Sequence, residues 1–314
     1  MGTYSNNPII EGRYDAYGRK TYWANGFRGQ GVKVAVIDNF NEPHGHQMAS
    51  VKDYIAPDCE LVKLEMYGHA QGIRDALYEA VKQNVNIVSI SRSTDNDTMD
   101  LHDAVKACKN AGILVFCSAG NSGDEYQDYI DIKRYPAAYD ETVSVLCINN
   151  NFTPSSMSSH GSTGWITGFG QNVLVKNADG SEQLVSGTSP TTAACAFTAA
   201  LNWCKILQTT GKHPLYTEMV DHIKKSTVDL GVIGKDNMTG YGFYTLDKSE
   251  FTRVKIMILD SNKNGLEDRV DQIKAIIASG VPYNDAERQV DSMYHIIGYE
   301  TINGVNVPIY GGRK

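Results

Sequence analysis

The chain has 314 residues and a formal net charge of −7, with 41% hydrophobic and 21% charged residues. This length suits one large domain, or one domain with a modest appendage, and the composition is that of an ordinary soluble globular protein. The acidic balance argues against a nucleic-acid binder, which needs clustered Lys and Arg, and no apolar run is long enough to cross a bilayer. No basic segment leads into an apolar core at the N-terminus, so no signal peptide is visible and a cytoplasmic location is expected. The six cysteines lack CxxC spacing. They read as small buried hydrophobes in a reducing compartment rather than as zinc ligands.

In chain order, short apolar runs alternate with segments of helical spacing. "VKVAVI" (32–37), "ELVKLEM" (60–66), "VNIVSI" (85–90), "GILVFCS" (112–118) and "TVSVLCI" (142–148) read as buried strands. "HQMASVKDYIA", "GIRDALYEAVKQN" and "TMDLHDAVKACKNA" carry apolar residues at i, i+3 and i+4 and read as helices. Such alternation predicts an α/β fold, a mostly parallel sheet with helices on both faces. A long helix is predicted from about Thr188 and another from about Leu215. Composition shifts near residue 250, where "VKIMIL" reads as a strand. This predicts a core over 1–249 and a small C-terminal α+β appendage over 250–314, closing with a hairpin around Asn303 and Gly304.

In an open parallel sheet, ligands and catalysts collect where strands end and helices begin. Asp38 ends the first strand and His44 opens the next helix; Asn121 follows the fourth strand in "CSAGNSG"; Ser189 opens the long helix in "VSGTSPTTAA". On one rim these four side chains can form a nucleophilic site. The Asp orients an imidazole, the His deprotonates the Ser, and the Asn amide stabilises an oxyanion. Taken singly, each has a plainer reading: a polar strand end, an Asn-Gly turn, a helix-capping Ser.

The segments "VAVID", "HG..MA", "AGN" and "SGTS" occur in the order Asp, His, Asn, Ser, and in this they resemble the subtilisin-like serine proteases, the subtilases. "GFRGQGVKVAVID", "VNIVSISRS", "RYPAAYDETVSVLCI" and "TGYGFYTLD" extend the resemblance over about 20–248. It implies a subtilisin-like core with Asp38, His44 and Ser189 as the triad and Asn121 as the oxyanion residue. It also implies that Gly187 and Thr188 shape the turn before the nucleophile, and that Ser91, Arg92 and Ser93 pair with an extended substrate. Ser118, Ala119, Gly120 and the "YPA" segment at 135–137 would shape the first specificity pocket. Arg92 is unusual at its position and would favour an acidic group.

Two departures stand out. Only "NFNEP" separates Asp38 from His44, much less than is typical of the family, yet within the usual length of a strand-to-helix connection. "HGHQMA" leaves two histidines to compare. His44 matches the general base, whereas His46 falls where the family has Thr and Gln47 where it has a second His. Pro190 follows the nucleophile directly, a residue well tolerated in a first helical turn.

His160, in "SSHGS", reads as a surface turn. His69, His102, His213, His222 and His295 read as solvated or helix-face histidines. The glycines of "GFRGQG" precede a strand instead of following one, which disfavours a nucleotide loop. In the tail, Asp260, Asn262, Asn264 and Asp271 are spaced around Gly265 as in a calcium loop. An Asn-Gly turn with capping side chains fits the same residues.

The expected function is peptide-bond hydrolysis by a serine endopeptidase acting on a protein or peptide substrate. No cofactor is required for the chemistry, and Ca²⁺ would be structural. The alternatives are a transpeptidase or macrocyclase that resolves the same acyl-enzyme with an amine, a peptide-binding pseudoprotease, and a nucleotide-binding module.

Overall fold

The computed structural model describes residues 7–125, 131–259, 294–302 and 305–313. Its centre is an eight-stranded sheet in the order β2-β1-β3-β4-β5-β6-β10-β9. The strands are β1 (Lys33–Asp38), β2 (Glu60–Glu65), β3 (Ile87–Ile90), β4 (Leu114–Ser118), β5 (Val143–Ile148), β6 (Ile166–Phe169), β9 (Thr227–Val228) and β10 (Phe243–Tyr244). All neighbours run parallel except β9 against β10. A separate antiparallel pair, β7 (Val173–Lys176) and β8 (Glu182–Val185), lies between β6 and the long helix in the chain. The helices are α1 (Pro8–Asp15), α2 (Arg19–Ala24), α3 (Pro43–Ile55), α4 (Ala70–Lys82), α5 (Met99–Asn110), α6 (Thr188–Thr210), α7 (Tyr216–Lys225) and α8 (Lys248–Leu259). Among the described residues, no helix is long and apolar enough to cross a membrane.

The strand runs expected from sequence form the centre of this sheet, and strand periodicity sends alternate side chains to opposite faces. Val34, Val36, Ile87, Leu114 and Phe116 join one buried cluster with α3 and α6. Ala35, Ile37, Val88, Ile90 and Val115 join the other with α4 and α5. A strand apolar on both faces needs helices on both, and this α/β architecture supplies them. Helix α6 is buried along its length from Thr188 to Cys204, as its small-residue sequence allows. All six cysteines are buried and unpaired.

The sheet order positions the site. β2 and β3 pair with opposite edges of β1, so the winding reverses at β1 and opens a crevice at its carboxyl end. Asp38 ends β1 at that crevice, and Ser91 and Arg92 follow β3 beside it.

One expected strand is a helix. "VKIMIL" lies within α8, whose first turn is capped by the Asp247 carboxylate accepting from the N–H groups of Ser249 and Glu250. Phe251 and Val254 are buried in the core and Ile258 packs against it, an i, i+3, i+7 stripe that outweighs the strand preference of the β-branched residues. The boundary expected at 249/250 therefore falls inside a helix packed on the core. In the tail, β11 (Tyr294–Ile302) and β12 (Val305–Arg313) pair antiparallel; the turn expected at Asn303 and Gly304 lies outside the described residues.

Candidate active site

The acid comes from the end of β1. Asp38 is fully buried, and its Oδ2 accepts a 2.8 Å hydrogen bond from Nδ1 of His44. Because a carboxylate can only accept, Nδ1 carries the proton and Nε2 is the basic nitrogen. Oδ1 accepts from the Asn39 backbone N–H and from Nε of Arg92, each at 2.8 Å. Burial pushes the Asp38 pKa up, but the hydrogen bonds and charges of His44 and Arg92 outweigh it and hold the group below the usual carboxylate range.

His44 sits in the first turn of α3, which Pro43 opens with its ring-fixed φ. A Cβ on Gly45 would lie 2.7 Å from the Asn39 carbonyl oxygen, so the glycine lets the helix close onto the short connection from β1. His46 faces elsewhere. Its Nε2 lies 3.0 Å from the Phe40 carbonyl, to which it can only donate, and its ring stands edge-on to Phe40. Gln47 donates to Asn177 and Gln183, tying α3 to the β7–β8 pair.

Ser189 lies in the first turn of α6 and is 9% exposed. Its Oγ donates to the Ser91 carbonyl at 3.4 Å, and the Ser91 hydroxyl donates back to the Ser189 carbonyl at 3.1 Å. The segment after β3 is thereby joined to the start of α6. Pro190 is in the same turn, where helical N–H groups have no intrahelical acceptor, so its missing donor costs nothing there.

Asn121 approaches α6 from the segment after β4. Its Oδ1 accepts from the Thr188 N–H and from the Thr188 hydroxyl, each at 2.9 Å. A backbone N–H can only donate, which identifies the oxygen and turns Nδ2 the other way. Gly187 precedes α6 at φ +139°, and a Cβ there would meet that Nδ2 at 2.9 Å. Both its backbone angle and its lack of a side chain are needed.

Of the other expected substrate-binding residues, Ala119 is nearly buried and donates its N–H to the Val145 carbonyl. Gly120 is at φ +104°, where a Cβ would meet Ser159 Oγ and Arg134 Cγ. Ser93 leads into Thr94, whose N–H and C=O both bond Tyr135 at 2.8 Å and so bring the 91–94 segment against the "YPA" segment. Arg134 donates to Ser122 Oγ and pairs with Asp95. Sequence reasoning passed over this ion pair, although "TDND" and "KRYP" carry its charges. Arg92, expected to greet an acidic substrate group, has its guanidinium on Asp38 and, through Nη2, on Glu42 at 2.8 Å.

His102 and His222 lie on helices and His213 is exposed, as expected of solvated or helix-face histidines, but each has fixed surroundings. His102 stacks on Tyr139 with Nε2 2.9 Å from Glu141, and His213 accepts from Trp203 Nε1. Burial pushes His222 down to about 4. The His160 carbonyl accepts from the Ile132 N–H. Among the described residues, no group of three or more His, Cys, Asp or Glu side chains could hold a metal ion. The calcium-loop positions Asp260, Asn262, Asn264 and Asp271 lie outside the described residues.

The profile of the Subtilase family matches residues 33–242, a span that contains Asp38, His44, Asn121 and Ser189. The chain belongs to the subtilase family. This subtilase is 29% identical over 219 residues to an intracellular serine protease of Paenibacillus polymyxa, covering 55% of the chain and 67% of that relative. It is 26% identical over 213 residues to the major intracellular serine protease of Bacillus subtilis, covering 53% and 66%. It also matches the minor extracellular protease Epr of B. subtilis, at 25% identity over 261 residues, covering 71% of this chain but only 39% of Epr. The matched regions thus span about two-fifths to two-thirds of these relatives. The fold is shared with a lanthipeptide protease at TM-score 0.67 and 22% identity, covering 74% of this subtilase and 92% of that chain. It is shared also with the prenylagaramide maturation protease PagA at TM-score 0.63 and 19% identity, covering 76% and 98%.

Proposed function

We propose that this subtilase is a serine endopeptidase acting on protein or peptide substrates. Ser189 attacks the scissile carbonyl as Nε2 of His44 takes its proton, and Asp38 holds the imidazole in the tautomer that leaves Nε2 basic. The Asn121 Nδ2, together with a backbone N–H near Ser189, donates to the oxyanion of the tetrahedral intermediate. The observation that supports this reading is the 2.8 Å bond from His44 Nδ1 to the buried Asp38, with Ser189 bonded to Ser91, the residue before the Arg92 that holds Asp38. Proton transfer requires the Ser189 hydroxyl, which here donates to the Ser91 carbonyl, to donate to His44 Nε2 instead. The chemistry uses no cofactor. A cytoplasmic location belongs to the same proposal; two relatives named as intracellular proteases support it, while the matching Epr is named as extracellular.

A fluorophosphonate probe tests the reading directly. The wild type is expected to be labelled and to hydrolyse peptides, and Ser189→Ala is expected to fold and do neither. Labelling that persists in Ser189→Ala moves the nucleophile elsewhere. A wild type that binds peptides without labelling makes the protein a pseudoprotease, and ligated products formed with an added amine make it a transpeptidase.

A further inference from the structure

Arg92 lies beyond β3 and would be free, by its position in the sequence, to meet a substrate. It does not point that way. Its Nε donates to Asp38 Oδ1 at 2.8 Å and its Nη2 to Glu42 Oε2 at 2.8 Å, and its side chain is one-third exposed while Asp38 is fully buried. Asp38 thus has its two oxygens divided, Oδ2 to His44 and Oδ1 to Arg92 and the Asn39 N–H. Glu42 is the residue from which α3 departs, so one guanidinium spans the end of β3, the end of β1 and the start of the helix carrying His44.

We infer that Arg92 is a positioning residue of the triad, which orients the Asp38 carboxylate toward His44 and sets, with Glu42, how much of its negative charge the imidazole feels. The inference rests on the roles proposed above for Asp38 and His44.

The physical case has two parts. A buried carboxylate with one imidazole partner can rotate about its Cβ–Cγ bond; a second, charged donor on the opposite oxygen fixes its plane. Arginine suits this task because its planar fork can hold Asp38 and Glu42 at once and never loses its charge. The second part is electrostatic. A permanent cation beside Asp38 offsets part of the negative charge that would otherwise stabilise the imidazolium, and the exposed Glu42 carboxylate returns some of it. Among the described residues, three other charged or titratable groups lie around Phe40, on this side of the centre. Glu65, at the end of β2, accepts from the Phe40 N–H; His46 is held on the Phe40 carbonyl; and Lys63 lies over the Phe40 ring. Among the described residues, α6 and the segment after β4 bring the neutral side chains Thr188, Ser189 and Asn121 to this centre, and Arg134 is paired to Asp95.

Two charge-removing variants should therefore act in opposite directions. Arg92→Gln removes the cation, favours the imidazolium, and moves the acid limb of kcat/KM to higher pH by roughly half a unit. Glu42→Gln leaves Arg92 uncompensated and moves the limb to lower pH, by less because Glu42 is exposed and screened, and by less still at high salt. Arg92→Lys keeps the charge but not the fork; the limb stays within about two-tenths of a unit while kcat falls several-fold.

The experiment measures kcat/KM against pH for matched neutral and acidic peptides. In parallel it follows the His44 imidazole Cε1–H resonance against pH by NMR, using the full chain in wild type and all three variants. Opposite displacements for Arg92→Gln and Glu42→Gln, with KM for neutral peptides little changed, are the expected result. Displacements in the same direction, or none, overturn it and leave Arg92 a structural clamp. A KM loss confined to acidic peptides, with the acid limb unmoved, overturns it in favour of substrate recognition. The NMR titration needs no turnover, so if labelling shows that the endopeptidase reading is wrong, the coupling of Arg92 to His44 is still decided. If Arg92→Gln does not fold, Glu42→Gln and Arg92→Lys carry the test.

Discussion

The Asn121 side-chain oxygen accepts two hydrogen bonds from Thr188, the residue immediately before Ser189 in the chain. This fixes the amide from a distant strand end, with Oδ1 held at the start of α6 and Nδ2 left free of Thr188. Asn121→Ala is expected to lower kcat by about 10²–10³ with little change in KM, a magnitude carried over from a related member of the family. Thr188→Val removes one of the two restraints and should cost kcat less, about several-fold. Steady-state kinetics on both variants provide the check. A loss confined to KM in Asn121→Ala would make the residue a substrate-binding group.

His44 and His46 face different partners, one the buried Asp38 and the other the Phe40 carbonyl. His44→Ala should abolish turnover, whereas His46→Ala should retain most of it and lose stability by about 1 kcal/mol, the usual worth of one hydrogen bond. Turnover and urea midpoints measured on the two variants test this. The reverse pattern would mean that the base has been assigned to the wrong side of Gly45.

His222 carries a pH dependence of stability. Burial, with like charge from Lys205 and Lys225, pushes it down from 6.5 to about 4. Between those values the unfolded chain takes up a proton that the folded chain does not. The contribution of His222 is therefore full above about pH 6.5 and lost as pH falls toward 4. The total is on the order of 1–3 kcal/mol at 1.36 kcal/mol per unit, reduced by partial solvent contact. Urea unfolding between pH 7 and 4.5 should show a steeper loss in wild type than in His222→Gln. Equal slopes would refute the assignment.

For the 260–271 segment the sequence pattern alone carries the expectation of a calcium loop. If Asp260, Asn262, Asn264 and Asp271 bind Ca²⁺, millimolar calcium raises the melting temperature by mass action, and the double variant Asp260→Ala, Asp271→Ala loses that response while Ser189 still labels. The competing turn with capping side chains gives no calcium-dependent shift. Scanning fluorimetry with calcium or chelator separates the two.

Much of the fold could be read from local pattern. The apolar runs that became β1, β4 and β5 are buried on both faces, and such strands announce themselves as unbroken β-branched stretches. Two elements carried signals that went unread. Asn7 caps α1 through its side chain just before Pro8, and Asp179-Gly180 marks the turn between β7 and β8. The "VKIMIL" segment misled because its β-branched residues are a weaker determinant than the core-facing stripe set by Phe251 and Val254.

The sequence by itself determined the chemistry on offer. An acid ends a strand, a His-Gly pair opens a helix, and an Asn and a Ser stand at strand and helix ends, because each local turn and cap is fixed by neighbours a few residues away. Only the tertiary structure decided who meets whom. Arg92 reaches Asp38 because the sheet places β3 beside β1, and Thr188 reaches Asn121 because α6 begins beside the end of β4. Such partners lie far apart along the chain, and side-chain direction at a strand end depends on which strand the topology sets next to it. A guanidinium that local sequence offers to solvent and substrate is thereby committed to the buried carboxylate of a neighbouring strand.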